Sequence, residues 1–346
     1  MALFSRRGTR GDSAAPVPVA PVPAVADEVA DEARDAEASD APVAPITPEA
    51  VPQVGISVST FGKGPESARP VTDEAARPAE AAPAATPSVP GLPDNALVQQ
   101  ALRALPEDPQ PAHIMNVMRQ VLQGQLYVRA QGDAKELLEA GRGLNLAITT
   151  HEDKRFLLVF SGGAPVQASA QAENAGPTSA LGQAAYNVLR TAIDSGYDGI
   201  YLDHANPGAR LVLPIELITK AIEEGAPAPF DVKSLLAGPR TDGTAAEVAD
   251  ALTRVPVWAA GRKAEDGRIG LAEARGTDGV RRLEVYSHPL EVIAMGRGDG
   301  PLRLEPEQLA RAVASEPALT GVVVDPAGPW IELDRDHLAS LLALAG

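Results

Sequence analysis

Ser161, Asp203 and His204 are the residues of this chain whose types could carry out a reaction together. A serine hydroxyl beside a histidine base that a carboxylate orients is the arrangement of nucleophilic acyl transfer. Ser161 opens Ser161-Gly162-Gly163 after one apolar run, and Asp203-His204 ends another. No Gly-x-Ser-x-Gly elbow surrounds the serine. On a strand, adjacent Asp203 and His204 point to opposite faces, which places the carboxylate poorly to hold the ring. A strand end followed by a polar turn accounts for these residues more simply. Metal chemistry is weaker still. His113, His151, His204, His288 and His337 include no pair three or four apart, so no helix face offers two of them to one ion. The chain has no cysteine, which removes disulfides, thiolate zinc sites and cysteine nucleophiles. Gly141-Arg142-Gly143 and Gly296-Arg297-Gly298-Asp299-Gly300 match neither the dinucleotide nor the P-loop spacing and read as turns. The pair Arg281-Arg282 reads as edge-strand charge. The expectation is a protein with no cofactor, no metal and no catalytic set.

The elements that would position these residues follow from hydrophobic period. Asp94 caps a helix over 96–105, and Ile114, Met115, Met118, Val121 and Leu122 share a face of a second helix that ends at Gly124. Strands are expected at Leu126–Val128, Leu144–Ile148 and Phe156–Phe160, the last two joined by Glu152-Asp153-Lys154. A helix is expected over Thr178–Asp194, then strands at Gly199–Asp203 and Arg210–Leu213 and a closing helix at Ile215–Glu224. The same order then recurs: helix 244–254, strands 255–259, 269–273 and 282–287, helix 306–315, strands 321–324 and 330–333, helix 336–345. Val128 aligns with Val257, Phe160-Ser161 with Tyr286-Ser287, and Gly199 with Gly321, at a slowly shrinking offset. A diverged duplication with small deletions gives that drift. In this alignment Asp203 and His204 are the two residues that lengthen the first turn.

Composition sets the rest. Residues 1–93 hold 15 of the 32 prolines and only two aromatic residues, Phe4 and Phe61. They cannot bury enough apolar surface to offset ordering, and are expected to be a disordered Pro/Ala-rich acidic tail. The 346 residues carry 46 acidic and 30 basic side chains, a net charge of −16, which argues against a nucleic-acid partner. The longest uncharged run beyond the tail, Phe156–Ala172, is too short and polar to span a bilayer. With no apolar leader after Met1–Arg10, the expectation is no membrane and a cytoplasmic location.

The aromatic-Ser strand end Phe160-Ser161, the strand Gly199-Ile200-Tyr201-Leu202 and the turn Asn206-Pro207-Gly208 resemble the N-terminal domain of the SseB family, the enhanced-serine-sensitivity proteins. The likeness covers about 112–224 and more loosely 244–345, where Tyr286-Ser287 and Asp325-Pro326-Ala327-Gly328 stand in the same places. It implies a mixed α/β fold and carries no reaction or catalytic residues.

The sequence therefore predicts an α+β protein of two tandem mixed-sheet domains with helices packed on the sheets. A tail over 1–93 precedes domains at 94–229 and 230–346. Its expected role is non-enzymatic protein interaction or regulation with unknown protein partners. The alternatives are a small-metabolite (amino-acid) binding pair and a hydrolase using Ser161 and His204. Trp330, Tyr201, His204, Asn206 and Asp325 are the candidate interface or groove residues.

Overall fold

The computed structural model describes residues 79–84, 86–225, 230–263, 269–275 and 279–346. Of the expected tail, 1–78 and 85 lie outside the described residues.

The first module runs α1 (Ala96–Arg103), α2 (Pro111–Val121), β1 (Gln125–Gln131), α3 (Ala134–Glu139), β2 (Ile148–His151), β3 (Lys154–Phe160), α4 (Gly163–Ala172), β4 (Thr178–Ala184), α5 (Ala185–Asp194), β5 (Gly199–Leu202), β6 (Leu211–Pro214) and α6 (Ile215–Glu224). The second runs α7 (Asp231–Ala237), α8 (Thr244–Leu252), β7 (Val257–Lys263), β8 (Ile269–Leu271), β9 (Glu273–Arg275), β10 (Arg281–Tyr286), α9 (Pro289–Ala294), β11 (Gly300–Leu304), α10 (Pro306–Ala314), β12 (Leu319–Val324), β13 (Ile331–Asp334) and α11 (Ala339–Leu342). The protein is α+β, with two mixed sheets.

The two sheets share one topology. Their strand orders are β4-β1-β3-β5-β6 and β11-β7-β10-β12-β13. In each, the third and fourth strands are parallel, β3 with β5 and β10 with β12, and the other neighbours along the path are antiparallel. Alternation decides which residues go inward. Leu157 and Val159 of β3 face a core with α1, α2, α5 and α6, while Leu158 and Phe160 face α4 and Val166. In the second module Leu283 and Val285 face α8, α10 and α11, and Tyr286 packs on Val292 of α9. Gly199 and Gly321 hold equivalent places because the next strand comes too close for a side chain. An added Cβ would lie 2.4 Å from Leu213 O and 2.0 Å from Leu333 O.

Several local expectations are corrected. Thr178–Asp194 is not one helix, because Thr178–Ala184 pairs with all seven residues of β1 before α5 begins. The strand expected at Leu144–Ile148 lies later, at β2, because Glu152 and Asp153 (φ 46° and 64°) form the turn that pairs His151 with Lys154. Asn95, not Asp94, caps α1 by accepting from Val98 N. Arg281 and Arg282 sit on the central strand β10 rather than an edge; Arg281 pairs with Glu273, and Arg282 reaches Glu332 and Asp334.

Candidate functional site

The C-terminal ends of the two parallel strands in each sheet are joined by a serine and an aspartate. Ser161 follows β3 and Asp203 follows β5; the Ser161 N–H donates to Asp203 Oδ1 at 2.8 Å and its hydroxyl to Oδ2 at 2.5 Å. Ser287 and Asp325 repeat this at 2.7 and 2.5 Å. Both aspartates leave their strands in the left-handed region (φ 46° and 51°), which swings the carboxylate across to the neighbouring strand end. Their own N–H groups donate to Val159 O and Val285 O, at 3.0 and 2.9 Å. All four residues are buried. Burial pushes the Asp203 carboxyl up to about 6, against the two bonds from Ser161. Burial and then Glu291 push Asp325 up to about 7, against Lys233 and Ser287.

Ser161 and Asp203 therefore meet as a pair, and His204 turns elsewhere. Its Nε2 lies 3.3 Å from Glu173 Oε1, and its ring stacks at a tilt near Tyr201 and Phe160. Burial lowers the ring's pKa, with Glu173 opposing and Arg129 adding to the fall. Glu173 also pairs with the buried Arg129 of β1. The turn alignment expected from sequence is corrected as well. Asp203 is the counterpart of Asp325, since Asn206 N bonds Asp203 O and Gly328 N bonds Asp325 O, each at 2.8 Å. The added residues of the first turn fall beyond Asn206, and Pro326 occupies the place of His204.

The five candidate groove residues do not converge. Tyr201 and His204 share the sheet face that carries Arg129. Asn206 is exposed and lines a small pocket with Asp203, Asp94 and Ser88. Asp325 is buried under the junction of the modules. Trp330 is half-buried; its N–H donates to Glu80 O, and its carbonyl accepts from Arg240. A cleft of about 350 Å³ lies between α1–α2 and the 327–329 turn, with Ala79, Ala81 and Pro83 along it, and none of the five lines it.

The residues that join the modules were not among the candidates. Arg119 of α2 donates to Glu291 of α9 at 2.7 Å and to Gly328 O at 3.1 Å, and Lys233 of α7 holds the other Glu291 oxygen. Glu291 is wholly buried. Burial alone would raise its pKa, but Lys233 and Arg119 hold it below the usual carboxylate range. His288 accepts from Leu290 N through Nδ1, and so caps α9 and presents Nε2–H to Ala221 O of α6 at 2.8 Å. Burial lowers its pKa to about 4. Partners this far apart in the chain leave no local pattern.

The first module caps the equivalent helix differently. Gly162 and Gly163 replace His288 and Pro289, and Asp94 reaches in together with residues 88–93, which were assigned to the tail from composition. Gly163 N donates to Asp94 Oδ1 at 3.2 Å, Ala164 N donates to Ser88 Oγ at 2.9 Å, and that hydroxyl donates to Asp94 at 2.9 Å. A Cβ on Gly162 would stand 1.8 Å from Asp94 Oδ1. The paired glycines after Ser161 were the sequence signal for this approach.

Among the described residues no group of three or more histidines and carboxylates could hold a metal ion, and no helix is long and apolar enough to cross a membrane. No curated protein and no solved structure matches the chain. Residues 98–219, from within α1 into α6, match the family described as SseB protein N-terminal domain, and over that span the chain is similar to it.

Proposed function

We propose that this protein is a non-enzymatic interaction or regulatory protein built from two tandem SseB-type domains and acting in the cytoplasm. The observation that carries this reading is the repeated Ser–Asp pair. The hydroxyl that could serve as a nucleophile donates at 2.5 Å to a buried carboxylate in both modules, including the one with Pro326 where a base would stand. A group used identically in two places to join strand ends is serving the fold. Partners would add to the outer strands β4, β6, β11 and β13, which end the two sheets. Val212 on β6 is 37% exposed and is the first point to probe. Affinity capture with the full chain, from cells grown in several conditions, should recover a partner that Val212→Lys fails to retain. Recovery of nothing above background, with a correctly folded bait, would overturn the reading.

The junction cleft favours a second reading, a small-molecule-binding domain pair. Its volume of about 350 Å³ suits a small ligand, and it is walled by both modules.

A further inference from the structure

Two buried cations at the module junction share one ionised partner. Arg119 and Lys233, 7% and 4% exposed, both bind Glu291. The remaining Arg119 contacts are neutral oxygens: Gly328 O at 3.1 Å, and Asn116 Oδ1 at 3.3 Å from Nε and 3.1 Å from Nη2. Excess positive charge kept away from water is costly unless an anion faces it. Asp325 is the other carboxyl in this cluster, and both its oxygens already accept from Ser287. Arg119 lines the junction cleft. So do Gln100, Asn116 and Gln120, whose carboxamides offer N–H donors. Gln120 is 5% exposed, and its side-chain oxygen has no partner among the described residues.

We propose that the cleft between α2 and the 327–329 turn binds a small organic carboxylate, held by Arg119 and the Gln100, Asn116 and Gln120 amides. This rests on the second reading above and names its ligand class. The ligand supplies the anion that the Arg119–Glu291–Lys233 cluster lacks. Ala101, Ala104, Ala327 and Pro329 offer apolar walls for the carbon skeleton.

The test is titration calorimetry on the full chain with aliphatic and aromatic carboxylates, each beside its own carboxamide. The expected result is heat from one or more carboxylates and none from the matched carboxamides. Gln100→Glu, at an exposed rim position, should weaken binding about tenfold by like-charge repulsion. Ala327→Phe should abolish it by filling the cleft, with both variants melting as the parent does. Equal binding of carboxamides would overturn the charge class while leaving the cleft as a ligand site. Failure of every compound, or binding unchanged by Ala327→Phe, would overturn both.

Discussion

Ser287 gives its backbone N–H and its hydroxyl to the two oxygens of Asp325, at 2.7 and 2.5 Å, with both residues buried. The bond joins parallel strands whose residues are nearly forty positions apart, and it does so around a carboxyl whose ionisation burial opposes.

That carboxyl gives a pH dependence of defined sign. Its folded pKa of about 7 lies above the unfolded value of roughly 3.9. Between these values the folded state keeps a proton that the unfolded chain has released, so stability falls as pH rises through this window. Asp325→Asn removes the titration. Its stability relative to the parent should improve between pH 5 and pH 8.5 by on the order of 2–4 kcal/mol. Urea denaturation across pH checks this, and parallel profiles would refute it.

His288 acts in the opposite sense. Its folded pKa of about 4 lies below the unfolded value of roughly 6.5. It contributes stability that is complete above the unfolded value and is lost as pH falls from there toward 4. His288→Asn keeps an acceptor for Leu290 N and should flatten this limb. The difference between variant and parent profiles isolates the effect from Asp203 and Asp325, which run the other way.

Glu291→Gln should cost about 3–5 kcal/mol in chemical denaturation, because Arg119 and Lys233 would remain buried with the carboxylate they share neutralised. Replacing all three together, Arg119→Met, Lys233→Met and Glu291→Leu, should recover most of that loss. A triple variant no better than Glu291→Gln would show that the cluster supplies more than charge balance.

Gly321→Ala and Gly199→Ala should each lose at least about 2 kcal/mol, since the new Cβ meets a strand carbonyl that cannot move alone. Gly208→Ala is the control. It has φ 82° and open space, so it should cost only about 1 kcal/mol from backbone strain. An equal loss at all three would mean that crowding is not what fixes Gly199 and Gly321.

The architecture was legible where the signal is local. Apolar strand residues, the Glu152-Asp153 turn and the paired landmarks Ser161/Ser287 and Gly199/Gly321 are short-range patterns, and the structure places them as alternation and turn chemistry require. The strand β4 was hidden because Leu181, Ala184 and Ala185 also fit a helical period and nothing breaks the chain between β4 and α5. In the second module Pro306, at the first position of α10, marks the same change from strand to helix. The candidate site was only half legible. Ser161 and Asp203 do meet, but His204 answers to Glu173, and the Arg119–Glu291–Lys233 junction joins residues that no spacing rule connects.

The borrowed cap of α4 also settles where the gene could be cut. Ser88, Asp94 and Asn95 lie upstream of residue 98, where the family similarity begins, and Ala221, the acceptor for His288, lies past residue 219, where it ends. A fragment trimmed to the limits of likeness would thus discard the acceptors for the first turn of α4 and an anchor of the second module. The segment that resembles the family and the segment whose hydrogen bonds complete the first module have different borders in this protein, and the second begins no later than Ser88.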